Sequence, residues 1–186
     1  MAGSSGGVGV GIPPWRTVLA GILQRGRGSP ETRYLQLANV DSEGRARNRT
    51  VVFRGFGPNS EILILSDTRS GKYAQLTRDP RAELCWYFPV TREQFRLDVL
   101  IHCYAESAPA PWAALRQRLW EERGARGQAE WVGAVADVSL PNPVPAFLLL
   151  VATVRAADHL ELRPKPQLRT LHQFGAQGWS RQEIAP

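Results

Sequence analysis

What most limits the fold of this chain is the brevity of its apolar runs, each closed within a few residues by glycine, proline or a polar turn. The longest, residues 146–154, has the length of a strand and falls short of the ~18 residues needed to span a bilayer. Residues 34–40, a turn at 41–44 and residues 49–56 read as a β-hairpin. Residues 57–60 turn the chain into a strand at 61–66, and residues 82–88 and 94–106 read as a second hairpin. Strands at 146–155, 159–163 and 179–184 close the chain.

Helical spacing is confined to short segments. Val18, Leu19, Ile22 and Leu23 recur at helical intervals after Pro13-Pro14, and Gly26 and Gly28 end that helix, which would lie as a lid on the core. Residues 71–78 read as a second helix, and 112–120 as another whose Trp112, Leu115, Leu119 and Trp120 share a face. Residues 124–145, rich in glycine, alanine and proline, read as a loop with at most one helical turn. The expected fold is mainly β with flanking α structure: an antiparallel barrel of six to eight strands with two or three short helices. Residues 1–12 are expected to be a flexible tail without the basic and apolar regions of a signal peptide, and residues 13–186 a single domain.

Between residues 49 and 72 the chain concentrates anion-binding chemistry. Arg49 and Arg54 bracket the apolar run Thr50, Val51, Val52 and Phe53, and the following strand runs through Leu65 and Ser66 into Asp67-Thr-Arg-Ser-Gly-Lys72. That junction reads as a helix N-terminus capped by Asp67 or Thr68. Its free N–H groups, with Arg69, Ser70 and Lys72, would favour an anion.

Composition narrows the alternatives. The formal charge of +6 and pI near 10.0 would suit nucleic acid, but acids are interleaved along the chain and no recognition motif accompanies the charge, so a solvated basic surface is expected. Cys85 and Cys103 sit within strands, outside any CxxC, and read as buried thiols. His102, His159 and His172 lack ligand spacing, so no metal is assigned. A soluble cytoplasmic protein, with neither membrane nor nucleic acid as partner, is the expectation.

The ordered set Arg49-Thr-Val-Val-Phe-Arg54, Leu65-Ser-Asp-Thr-Arg-Ser-Gly-Lys72, Cys85-Trp-Tyr-Phe88 and Arg92-Glu-Gln-Phe-Arg96 resembles the pyridoxamine-phosphate-oxidase-like, FMN-binding split-barrel family over nearly the whole chain. The resemblance implies a split β-barrel, FMN as cofactor, and a homodimer whose flavin sites are built by two subunits. It implies that Arg49 and the strand residues Thr50, Val51 and Val52 contact FMN, and that Leu65 and Ser66 pass beneath the isoalloxazine. Lys72 would engage the phosphate, and Arg69 and Ser70 would replace the family arginine whose place Gly71 takes. Gln94 would bond the flavin across the dimer interface, and Arg169 would make a late contact.

For the substrate, Arg54 matches the basic residue that ends the first strand. In the later helix Arg116 matches an arginine, with Trp112 and Trp120 replacing a tyrosine and a serine. Taken alone, Arg116 is as readily a surface charge as a substrate-phosphate contact. The implied activity is hydride transfer from a small substrate to FMN, against an alternative in which the barrel carries or senses flavin without turnover.

Overall fold

The computed structural model describes residues 11–132 and 142–186; positions 1–10 of the expected tail lie outside them. The chain enters at α1 (Pro14–Arg25), where proline occupies a first-turn position that has no helical N–H partner to lose. A short 3₁₀ turn, Pro30–Arg33, leads into β1 (Tyr34–Val40). Then follow β2 (Ala46–Phe56), β3 (Ile62–Asp67), α2 (Gly71–Arg78), β4 (Arg81–Phe88) and β5 (Glu93–Tyr104). Next come α3 (Trp112–Glu121), α4 (Gly124–Val132), β6 (Phe147–Glu161), β7 (Leu168–Gly175) and β8 (Gly178–Ile184).

All pairings are antiparallel, in the order β3-β2-β1-β4-β5-β6-β7-β8. β6 also pairs back onto β3, from Asp67↔Phe147 to Ile62↔Ala152. The first six strands of that order are therefore a closed barrel, and β7 and β8 extend from its wall. The period-2 pattern sends Leu35, Leu37, Leu84, Trp86, Phe95, Leu97 and Val99 into the barrel, where Trp15, Leu19 and Ile22 of α1 join them. A second cluster forms outside the barrel: Leu119 and Trp120 of α3 cover Leu63, Phe147, Leu149 and Val151 on β3 and β6.

The mainly β architecture, a closed six-stranded barrel with two added strands, agrees with the sequence expectation, and three places differ from it. Residues 146–155 and 159–163 are one strand, β6, carried past a bulge where Arg155 is the extra residue between the pairs Asp98↔Ala156 and Val99↔Val154. β7 stands where no strand was expected, because its two buried side chains, Thr170 and His172, are polar. α4 is a nine-residue helix in the stretch read as loop, and residues 133–141 of that stretch lie outside the described residues. The described residues thus hold four α-helices rather than two or three.

Candidate functional site

β3 ends at Asp67, and the next three residues turn tightly before α2. The Asp67 carboxylate accepts from the Arg69 backbone N–H at 2.7 Å and takes the Arg69 guanidinium at 2.6 Å. It is therefore not the helix cap, and neither is Thr68: Ser70 holds the N-cap position and spends its hydroxyl on the Asp67 carbonyl at 2.6 Å. No side chain caps α2 and no carboxylate lies in its first turn, so the positive end of its dipole is open.

Two cations converge beside this turn. Lys72 Nζ donates to Ser66 Oγ at 2.9 Å. Arg49 reaches α2 from β2, donating through Nη2 to Gln75 Oε1 at 3.0 Å and through Nη1 to Asn39 Oδ1 and the Leu37 carbonyl. Asn39 is itself buried and donates to Gln75 Oε1 at 3.2 Å, so the guanidinium is fixed on three sides. Burial and then the nearby Arg49 charge push the Lys72 ammonium below its ordinary pKa, with Asp67 opposing. Burial and then Arg47 do the same to Arg49. Holding two like charges in a half-desolvated corner is unfavourable until an anion joins them.

Asn39 and Gln75 carry no role in the sequence reading, although a signal existed. Asn39 is the one polar side chain among the inward positions Leu35, Leu37 and Asn39, and Gln75 lies three residues beyond Lys72 on the same helix face.

The remaining expected positions fall into separate places. Val51 points into the barrel, Thr50 and Val52 alternate outward from it, and Leu65 packs against the second cluster. Gln94 faces Leu160, which faces Arg169, so the two polar residues share one row across β5, β6 and β7, roughly 9–10 Å apart by strand spacing. Arg169 is held there by Asp158, at 2.6 Å. Arg69 is exposed, its charge met by Asp67.

Arg54 ends its run exposed on β2. Its guanidinium is nevertheless partly desolvated, and that, then Arg123 and Arg33, lower its pKa, with Glu130 opposing. Arg116 is not a surface charge. It is 5% exposed, donating to the Phe147 carbonyl at 2.9 Å and to the Val144 carbonyl at 3.0 Å, the latter also accepting the Phe147 N–H. Those bonds withdraw it from the substrate role as well. Arg116→Ala should destabilise the protein by about 1–3 kcal/mol, the range for losing buried charged hydrogen bonds, while FMN affinity stays unchanged. Urea unfolding alongside flavin titration checks both halves.

The other chemistry-bearing residues are structural. His159 Nε2 lies 2.7 Å from Glu93 and its ring stacks on Phe95. His172 is buried, its pKa lowered by burial, then by Arg181 and His159. Burial pushes the Cys103 thiol up to about 11, which leaves it without thiolate character at neutral pH. Among the described residues no group of three His, Cys, Asp or Glu side chains could hold a metal, and no helix is long and apolar enough to cross a membrane.

Comparison with known proteins gives this geometry a context. Residues 12–104 match the family model described as pyridoxamine 5′-phosphate oxidase, FMN-binding domain. The chain is 33% identical over 177 aligned residues to pyridoxine/pyridoxamine 5′-phosphate oxidase 2 of Arabidopsis thaliana, covering 87% of this chain and 89% of that one. The structure of a pyridoxamine 5′-phosphate oxidase-related, FMN-binding protein from Nostoc punctiforme superposes with a TM-score of 0.86 at 38% identity, over 96% of this chain and 100% of that one. PhzG from Burkholderia lata, solved with tetrahydrophenazine-1-carboxylic acid, shares the fold at a TM-score of 0.75 and 18% identity, over 91% of each chain. The chain belongs to the pyridoxamine 5′-phosphate oxidase-like family of FMN-binding split barrels, and its cofactor is FMN.

Proposed function

We propose that the protein is a homodimeric FMN-dependent oxidoreductase that takes a hydride from a small substrate. The observation that carries this reading is the Arg49–Lys72 pair: two half-buried cations beside an uncapped helix N-terminus, while the carboxylate nearest Lys72 is engaged by Arg69. A dianionic phosphate fits that corner in charge, and the flavin mononucleotide ends in one. Bound FMN supplies the electron-pair acceptor, so the chain itself needs no nucleophile and no paired carboxylates.

In this reading Arg49 and Lys72 bind the phosphate, with Ser66 steering the ammonium, Asn39 and Gln75 fixing the guanidinium, and the first N–H groups of α2 completing the cradle, while Ser70, whose hydroxyl and N–H both go to the Asp67 carbonyl, shapes the turn instead of donating to the phosphate. Thr50, Val51, Val52 and Leu65 supply the strand surface along which the ring lies. Gln94 and Arg169 share a row on β5 and β7 rather than the corner at α2. Their flavin contacts are therefore assigned to a second copy of the chain, which makes the dimer part of the site.

The test is the visible spectrum of the purified protein, followed by anaerobic mixing with pyridoxamine 5′-phosphate and other small amines. Flavin bands, released FMN near one equivalent per subunit, and bleaching by an amine are expected. Bleaching by dithionite alone would establish the flavin carrier or sensor instead. A protein that stays colourless with added FMN would remove the site assignment.

A further inference from the structure

α4 has nine residues, too few for a helix to hold its shape alone in water, so its place in the fold is decided by what it packs against. Gln128 ties it to α3, donating to the Trp120 carbonyl at 3.0 Å. Trp131 ties it to the second cluster, standing edge-on to Phe147 at 5.2 Å and to Trp120 at 6.3 Å between ring centroids, with the Arg123 guanidinium 4.3 Å above its ring. Any aromatic residue at position 131 would serve that packing. The indole does something further: its Nε1 donates to the Ser66 carbonyl at 2.9 Å.

Ser66 stands at the end of β3, and its hydroxyl is the acceptor for Lys72 Nζ. The bond from Trp131 is answered in the opposite direction, because Arg69 Nη2 donates to the Trp131 carbonyl at 3.3 Å while the guanidinium also holds Asp67. Between these two points the Thr68 N–H donates to the Ala146 carbonyl at 3.0 Å. The approach to β6 thus holds the middle of the turn, and one residue of α4 holds both its ends. α2 begins two residues after Arg69, so this turn sets where its first N–H groups point. A shift at Ser66 or Arg69 passes to Lys72 through the Ser66 hydroxyl and through the first turn of α2.

We infer that Trp131 is a positioning residue for the FMN phosphate: by docking α4 on the turn it keeps Ser66, Lys72 and the N-terminus of α2 in the arrangement that receives the anion. The inference rests on the proposed phosphate corner and adds to it a residue from a helix that the chain reaches only after β4, β5 and α3. Its influence runs through Lys72 and the α2 N–H groups. It therefore acts on the charged end of the cofactor and leaves the hold on the ring, along β2, to other residues.

Riboflavin, which carries the same ring without the phosphate, provides the test. The full-length holoprotein is dialysed to equilibrium against a mixture of FMN and riboflavin, and the bound flavins are separated and quantified after denaturation. Wild type should favour FMN. Trp131→Phe keeps a ring in the cluster and deletes the N–H, and it should lower that preference roughly three- to tenfold, the range of one hydrogen bond. A role in packing alone would weaken both flavins alike and leave the ratio where it was. Trp120→Phe, the same exchange at a ring that packs on Phe147, should keep the wild-type ratio within about twofold. An unchanged ratio in Trp131→Phe, or an equal fall in Trp120→Phe, overturns the inference. A wild type that binds the two flavins alike would overturn the phosphate corner itself and the inference with it, so the wild-type ratio tells the two failures apart.

Discussion

Arg49→Ala combined with Lys72→Ala is expected to yield a folded protein that emerges colourless from gel filtration. Each single replacement removes one charge-assisted contact to the flavin phosphate, about 1.5–3 kcal/mol, or roughly 10- to 150-fold in FMN affinity. The two side chains act on one phosphate, so their effects are coupled and the double variant need not show the sum. Folding should survive, because the pair is unfavourable without its anion: burial and mutual repulsion already press on Lys72. By the same logic, FMN at a hundred times its Kd should stabilise the wild type by about 2.7 kcal/mol and the double variant far less. Undiminished flavin absorbance in both single variants would show that the phosphate is held elsewhere.

Trp86→Ala should cost about 3–5 kcal/mol, the range for emptying a large core position. Trp86 is fully buried, lies 5.0 Å from Phe53 and 5.3 Å from Phe88 between ring centroids, and holds the Thr32 carbonyl. For a chain of this size the loss corresponds to a fall of roughly 6–20 °C in Tm, measured by thermal unfolding. Trp86→Phe separates packing from anchoring. It retains an aromatic ring but frees the 3₁₀ turn, so stability should fall by only about 1 kcal/mol. Unchanged stability in Trp86→Phe would mean that the indole N–H does little to position the turn, and a loss equal to that of Trp86→Ala would mean that the anchor rather than the ring's packing carries the effect.

The parts of the fold legible in the sequence are those in which one period runs uninterrupted. α2 spans the residues expected of it, and the alternation of Leu84, Trp86 and Phe88 with Cys85 and Tyr87 reads as a strand with one face buried. β6 does not keep one period. Its bulge at Arg155 makes Val154 and Ala157, three apart, both inward, so a single strand reads as two. β7 lacks the apolar signal altogether, since Thr170 and His172 fill its buried positions.

The site divides along the same line. Arg49 and Lys72 are tied by two strands and a turn that sequence periodicity can follow. That Arg27, Arg33 and Arg54 line one pocket depends on how α1 and its following turn pack against β2, which no local pattern encodes. Arg116 carries a related lesson: an arginine on a short helix reads as solvent-facing until the backbone carbonyls of Val144 and Phe147 at the start of β6 are placed beside it.

The closure of the barrel has a bearing on how the protein is made. During synthesis from the N-terminus, β1 to β5 can pair as they leave the ribosome, but the strand that joins β3 to β5 arrives only after α3, α4 and residues 133–146 have been translated. Until then the nascent sheet has two bare edges, β3 and β5, each able to pair with a neighbouring chain. β6 covers both at once, so the interval before its emergence is when this polypeptide is most exposed to misassembly.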